Sequence, residues 1–154
     1  MKRSVLALSV SLLAAAPATA EEHPWVARFQ LGSATIHEWD DADTWGEVRI
    51  GHRFAGGLVS ADLGPSGSHS GEGYVGLTLG LEVLPLPRAV VSPYARVEAG
   101  GLWEPEGLYA TGGVGGGLVV RLSDRLSLRG GASWAVHSDV GGPVVYSGGV
   151  ELRW

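Results

Sequence analysis

The chain has 154 residues, no cysteine, and sixteen acidic against eleven basic residues, a formal charge of −5. That length allows one domain with one core, and the acidic balance argues against a nucleic-acid partner, which calls for a basic footprint. Without cysteine there is neither a disulfide framework nor a Cys/His zinc spacing.

The first twenty residues, MKRSVLALSVSLLAAAPATA, carry Lys2 and Arg3, an apolar run from Val5 to Ala16, and Ala18-Thr19-Ala20. A positive start, an apolar stretch too short to span a bilayer comfortably and an A-x-A site predict a secretory signal peptide, 1–20, cleaved after Ala20. No cysteine follows, so a lipoprotein is not expected. The mature domain is then 21–154, with nine arginines, no lysine and a formal charge of −7. It contains no apolar run of the roughly 20 residues that a transmembrane helix needs.

Downstream, period-two alternation replaces helical periodicity, broken by Gly, Pro, Asp and Ser clusters. Eight strands are expected: Trp25–Ile36, Trp45–Phe54, Leu58–Gly64, Gly73–Val83, Tyr94–Trp103, Leu108–Leu122, Leu126–His137 and Val144–Trp154. HEWDDADT, GPSGSHSGE, EPEG and SDVGGP read as acidic or Gly/Ser-rich loops, AGG and SDR as tight turns. LPLPRAVVSP is a connection too apolar for a plain linker. An even number of such segments, mostly of 10–12 residues, predicts an all-β fold: an eight-stranded antiparallel up-and-down barrel.

Alternation alone does not orient a barrel. One face holds Arg28, Glu47, Arg49, Arg53, Asp62, Glu82, Arg96, Glu98, Arg121, Arg129, Glu151 and Arg153. Arginine forks suit carboxylates in confined space, whereas a hydrated exterior favours lysine, which the mature chain lacks. The same face carries Gly76, Gly80, Gly113, Gly115, Gly117, Gly131 and Gly149, small enough to leave room for arginines in a narrow lumen. Trp25, Trp45, Trp103, Trp134 and Trp154 lie near strand ends, as in the aromatic girdles of membrane barrels, although Trp45 falls on the polar face. These features predict a transmembrane barrel with apolar residues toward lipid and a charge network inside. Closure pairs every backbone group, and that ladder supplies the stability that disulfides do not. Eight strands leave an interior that side chains fill, so the lumen is expected to be plugged.

The stretches SPYARVEAGGL, ATGGVGGGLVVRLSDRLSLRGGASW and GGVELRW resemble the small eight-stranded outer-membrane proteins of Gram-negative bacteria, the OmpA-like/OmpX-like "porin family" barrels. The resemblance spans the mature chain as a pattern more than a diagnostic motif. It implies residence in the cell outer membrane, contact with its lipid and lipopolysaccharide, and a periplasmic hairpin at RLSDRLSLR. It also implies a C-terminal signal, Tyr146, Val150, Leu152 and Trp154, read by the outer-membrane assembly machinery, with Gly148 a gap in the pattern. A monomer is expected.

The chemistry is sparse. AVHSDVGG is similar to the His-x-Ser-Asn signature of lipid A deacylases, with Glu151 as a third member. Here, however, His137 and Ser138 are adjacent, so they point to opposite faces of a strand, and Asp139 stands where no asparagine follows. His69-Ser70 reads as a solvated loop tip. Glu38, Asp40, Asp41 and Asp43 cluster oxygens of the kind hard cations favour. The run departs from an EF-hand loop at Trp45 and His52, and reads as an acidic outer loop beside lipopolysaccharide. With no phosphate loop or dinucleotide fingerprint, no cofactor and no metal are expected. The expectation is a structural or surface-interaction barrel without catalysis. A lipid A-modifying hydrolase is the alternative, and a soluble periplasmic ligand-binding barrel of opposite orientation a further one.

Overall fold

The structure is a computed structural model that describes residues 23–35, 43–68, 75–104, 106–137 and 141–154. The signal-peptide reading, Ile36, the His69-Ser70 tip, Gly73, Ser138-Asp139 and the acidic residues Glu38, Asp40 and Asp41 lie outside them. Eight strands follow in order: β1 Trp25–Thr35, β2 Asp43–Phe54, β3 Val59–Ser68, β4 Val75–Val83, β5 Val91–Glu104, β6 Gly107–Arg121, β7 Leu126–His137 and β8 Gly141–Arg153. Each pairs antiparallel with the next, and β8 pairs with β1, closing the barrel. At the seam Trp25 and Trp154 exchange both backbone hydrogen bonds at 3.1 Å. We call this end the base and the opposite end the mouth.

One register row, from Leu126 through Leu152, Ala27, Ile50, Leu63, Leu79, Ala99 and Gly112, returns to β7 at Val136, ten residues up. With strands about 4.8 Å apart and about 3.3 Å per residue, that stagger tilts them by about 40° from the barrel axis. The apolar exterior of β5, from Val91 to Trp103, then projects about 30 Å along the axis, the thickness of a hydrocarbon core.

Alternation sets the two faces, most plainly on β4, where exposed and buried positions alternate without a break. Outward positions are apolar and exposed, among them Phe29, Leu31, Ile50, Leu63, Leu79, Val97, Val114 and Leu118. Among the described residues no Asp, Glu or Arg occupies an outward strand position. Trp25, Phe54 and Trp154 ring the base outside, and Trp103, Trp134 and Tyr146 stand outside toward the mouth. Trp45 points inward, because β2 buries its odd positions.

Several boundaries differ from the sequence reading. β3 runs on to Ser68 rather than ending at Gly64, so GPSGS is strand, not loop. Its composition is poor for a strand, but neighbours on both sides supply hydrogen-bond partners. The β2–β3 ladder omits the pairs of Val48 and Arg49, opposite Pro65 and Gly64, where proline offers no N–H. On its other side Pro65 pairs with Leu77. β5 takes up Val91-Ser92-Pro93 from the apolar connection, β2 begins at Asp43 and β8 at Gly141. The β2–β3 turn holds Ala55, Gly56 and Gly57 at φ of 52°, 67° and 88°. Three left-handed residues in a row explain the two glycines there, and leave Ala55 the strained member.

Candidate functional site

The inward positions bring eleven of the twelve expected charged residues into one network. Arg28 on β1 lies at its centre and is fully buried. Its Nε donates to Glu151 at 3.0 Å and its second terminal nitrogen to Ser60 at 2.8 Å and Glu82 at 2.9 Å; the first donates to Asp62. Asp62 also accepts a two-pronged fork from Arg96, at 2.6 and 2.8 Å, and a longer bond of 3.2 Å from Arg49.

Glu151 is the second hub. Besides Arg28 it accepts from Arg53 and, at 3.0 Å, from Arg129, while Arg153 Nε stands 3.4 Å away. Arg129 donates to Glu82 as well, and Arg153 to Ser127. Toward the mouth, Arg49 donates to Glu47, to Thr78 Oγ1 at 2.6 Å and to Glu98 at 2.7 Å; Arg96 reaches Glu98 at 3.2 Å. Gln30 donates to Glu47. The Glu98 side chain is 21% exposed, against 0–3% for the other four carboxylates.

A buried charge is tolerated only when paired and hydrogen-bonded. Here Asp62, Glu82, Glu98 and Glu151 each meet at least two guanidiniums, Glu47 meets Arg49 and the Gln30 amide, and arginine's planar fork allows one cation to serve several acceptors. Two glycines make the packing possible. A Cβ on Gly80 would run into the Arg96 guanidinium and lie 2.7 Å from Asp62 Oδ1, and one on Gly131 would lie 2.5 Å from the Tyr94 hydroxyl.

Arg121 departs from the expectation. It stands inward at the base, and its side chain donates to the Pro87 carbonyl of the 84–90 connection instead of to a carboxylate. The connection after β4 passes close enough at the base for its Pro87 carbonyl to take that role. Of the alternative catalytic trio, His137 and Glu151 are far apart, and Ser138 lies outside the described residues. Glu151 pairs with Ser127 on β7, and His137 lies ten residues farther along that strand, roughly 33 Å at the usual rise. Among the described residues no three His, Asp or Glu side chains converge to hold a metal ion.

Sequence reasoning missed Tyr94, Ser60, Thr78, Ser127 and Gln30 as lumen partners. The alternation Ser92, Tyr94, Arg96, Glu98 carried the signal for Tyr94. It missed Leu84 too, which follows β4, points inward and forms a buried apolar cluster with Tyr94 and Val119. Leu84 continues the inward phase of Thr78, Gly80 and Glu82, but as an apolar residue on the polar face just before Pro85 it read as part of the connection.

No protein-family model and no curated protein matches the chain. Solved structures do. The chain is similar to a de novo designed transmembrane β-barrel, with 16% identity over 89% of this chain and 99% of that one and a TM-score of 0.61. It is similar to neisserial surface protein A, with 13% identity over 84% and 96% and a TM-score of 0.63. It is also similar to outer membrane protein H of Pseudomonas aeruginosa, with 11% identity over 85% and 99% and a TM-score of 0.64. At such identities the likeness concerns the fold: a closed, eight-stranded, antiparallel up-and-down barrel of the kind found in transmembrane proteins.

Proposed function

We propose that the chain is an outer-membrane β-barrel protein with a structural or surface-interaction role, its lumen closed by arginine–carboxylate pairs, and without catalytic activity. The observation that carries this reading is the inversion of the two faces. Outward strand positions are apolar with no Asp, Glu or Arg among those described, while six arginines and five carboxylates are paired inside. Water outside such a surface would be strongly unfavourable, and hydrocarbon suits it. A soluble ligand-binding barrel needs the opposite arrangement. In this reading outer-membrane lipid and lipopolysaccharide surround a monomer, the base faces the periplasm, and Tyr146, Val150, Leu152 and Trp154 address the assembly machinery. The outward exposure of those four residues supports the last point.

Cell fractionation with heat-modifiable gel migration tests the proposal. The protein is expected in the outer-membrane fraction, migrating faster unheated than boiled. Recovery as a soluble periplasmic protein without detergent would overturn it.

A further inference from the structure

Free space in the lumen is distributed unevenly. The side chains of the charge network project from every strand except β6, whose inward positions from Gly113 to Val119 are Gly113, Gly115, Gly117 and Val119, with Arg121 below them outside the network. Beside this glycine wall runs a cavity of about 30 Å³, bounded by Gly115, Ser133, Ser147, Trp45, Glu98 and Tyr94. Its walls mix polar and apolar groups, and it has room for a water molecule or two.

Tyr94 stands on the base side of this cavity, because it precedes Arg96 and Glu98 on a strand that rises from the base. Its backbone pairs with Gly117 on β6, and Gly117 pairs with Gly131 on β7. The phenol crosses both glycines: its hydroxyl fills the place where a Gly131 side chain would begin. The Arg129 guanidinium lies over the ring, 4.5 Å from its centroid. Leu84 and Val119 complete the buried layer. Leu84 is held there by the connection after β4, through its N–H to Leu58 O at 2.8 Å, Arg121 N–H to Val90 O at 2.7 Å and the Arg121 clasp on Pro87.

We propose that Tyr94, backed by Leu84 and Val119, is the seal of the lumen, across a passage that would otherwise admit water and small ions along the glycine wall of β6. Arg96 and Glu98 on β5 and Arg129 on β7 flank this wall, and their charged groups are held by Asp62, Arg49, Glu82 and Glu151. A path down β6 meets no charged side chain of that strand before Arg121 at the base; the side chain that crosses it is the Tyr94 ring, packed with Leu84 and Val119 and held under the Arg129 guanidinium. An apolar layer excludes water because it offers no hydrogen-bond partner. This inference rests on the reading of the chain as a membrane-spanning barrel with a closed lumen.

Planar-bilayer recordings on the purified full-length barrel test it. Wild type and Tyr94→Phe are expected to stay closed, since the ring and not the hydroxyl makes the barrier. Tyr94→Ala should show discrete openings, with currents at least about tenfold above the wild-type background. Glu98→Gln, which breaks ion pairs beside the cavity, should stay closed. Heat-modifiable migration checks that each variant is folded, and Leu84→Ala/Val119→Ala replaces Tyr94→Ala if that variant does not assemble. A folded seal variant as silent as wild type overturns the seal alone. Glu98→Gln conducting like Tyr94→Ala overturns it in favour of an ion-pair gate. A wild type that conducts removes both the closed lumen and the seal.

Discussion

Arg28 and Glu151 are register partners across the β1–β8 seam, and Arg28 Nε donates to Glu151 Oε2 at 3.0 Å although 123 residues separate them. The strand pair that closes the barrel is thus also joined in its interior by an ion pair. The match depends on parity: β1 buries even positions and β8 odd ones, and the register sets 28 opposite 151. A slip of one residue between the two strands would turn one of the two charges to the outside and leave the other unpaired within.

Removing one partner should therefore cost far more than removing two. Arg28→Met leaves Asp62, Glu82 and Glu151 short of a cation in a dry interior, and is expected to destabilise the barrel by about 3–5 kcal/mol. Arg28→Met/Glu151→Gln should recover part of that loss, because one carboxylate no longer needs a partner. Urea-induced unfolding in lipid vesicles measures both; a double variant as weak as the two losses added would show the residues to be uncoupled.

The exterior offers a test of what surrounds it. Leu79 faces outward near the middle of the barrel and is 56% exposed. Leu79→Arg is expected to cost about 2–4 kcal/mol in a bilayer, falling toward zero for the same change near the base. Equal, negligible costs at both depths would point to water outside.

Glycines of the two faces should differ in tolerance. Gly80→Val drives its side chain into Arg96 and Asp62, and overpacking of this kind costs about 1–3 kcal/mol. Gly148 faces outward, and a Cβ there meets only Arg129 O at 3.8 Å, an ordinary contact. Gly148→Ala should leave unfolding unchanged while Gly80→Val shifts it; the reverse order would contradict the inward register.

Trp154 combines a seam hydrogen bond with an outward indole. Trp154→Asp is expected to block assembly into the membrane while leaving export intact, read as accumulation of unfolded protein in the periplasmic fraction. Normal insertion of that variant would refute the proposed assembly signal.

For catalysis, mass spectrometry of lipid A from cells with and without the protein should give the same spectrum. A spectrum that changes with the folded wild type and not with His137→Ala would establish the hydrolase instead.

Much of the fold was legible because alternation is local. Strand composition and spacing suffice to place Arg28, Glu47, Arg49, Asp62 and Glu151 on the same side of their strands. β3 was harder: Gly64, Pro65, Ser66 and Gly67 carry no strand preference of their own, and only pairing with Leu77, Gly76 and Val75 on β4 draws them into the sheet. Arg121 was placed on the correct face but assigned the wrong partner, because the height of a side chain in a barrel depends on stagger, and stagger is not written in any one strand.

The sequence by itself determined the two faces of each strand, since period-two patterning and the choice of arginine over lysine act residue by residue. It determined that the charges would be gathered and the glycines set among them. Which arginine meets which carboxylate, that Tyr94 crosses to Gly131, and that Leu84 is drawn in beneath it were decided only by the tertiary structure. Those contacts join residues on strands that are distant in the chain, and a ten-residue stagger around a closed ring fixes them all at once.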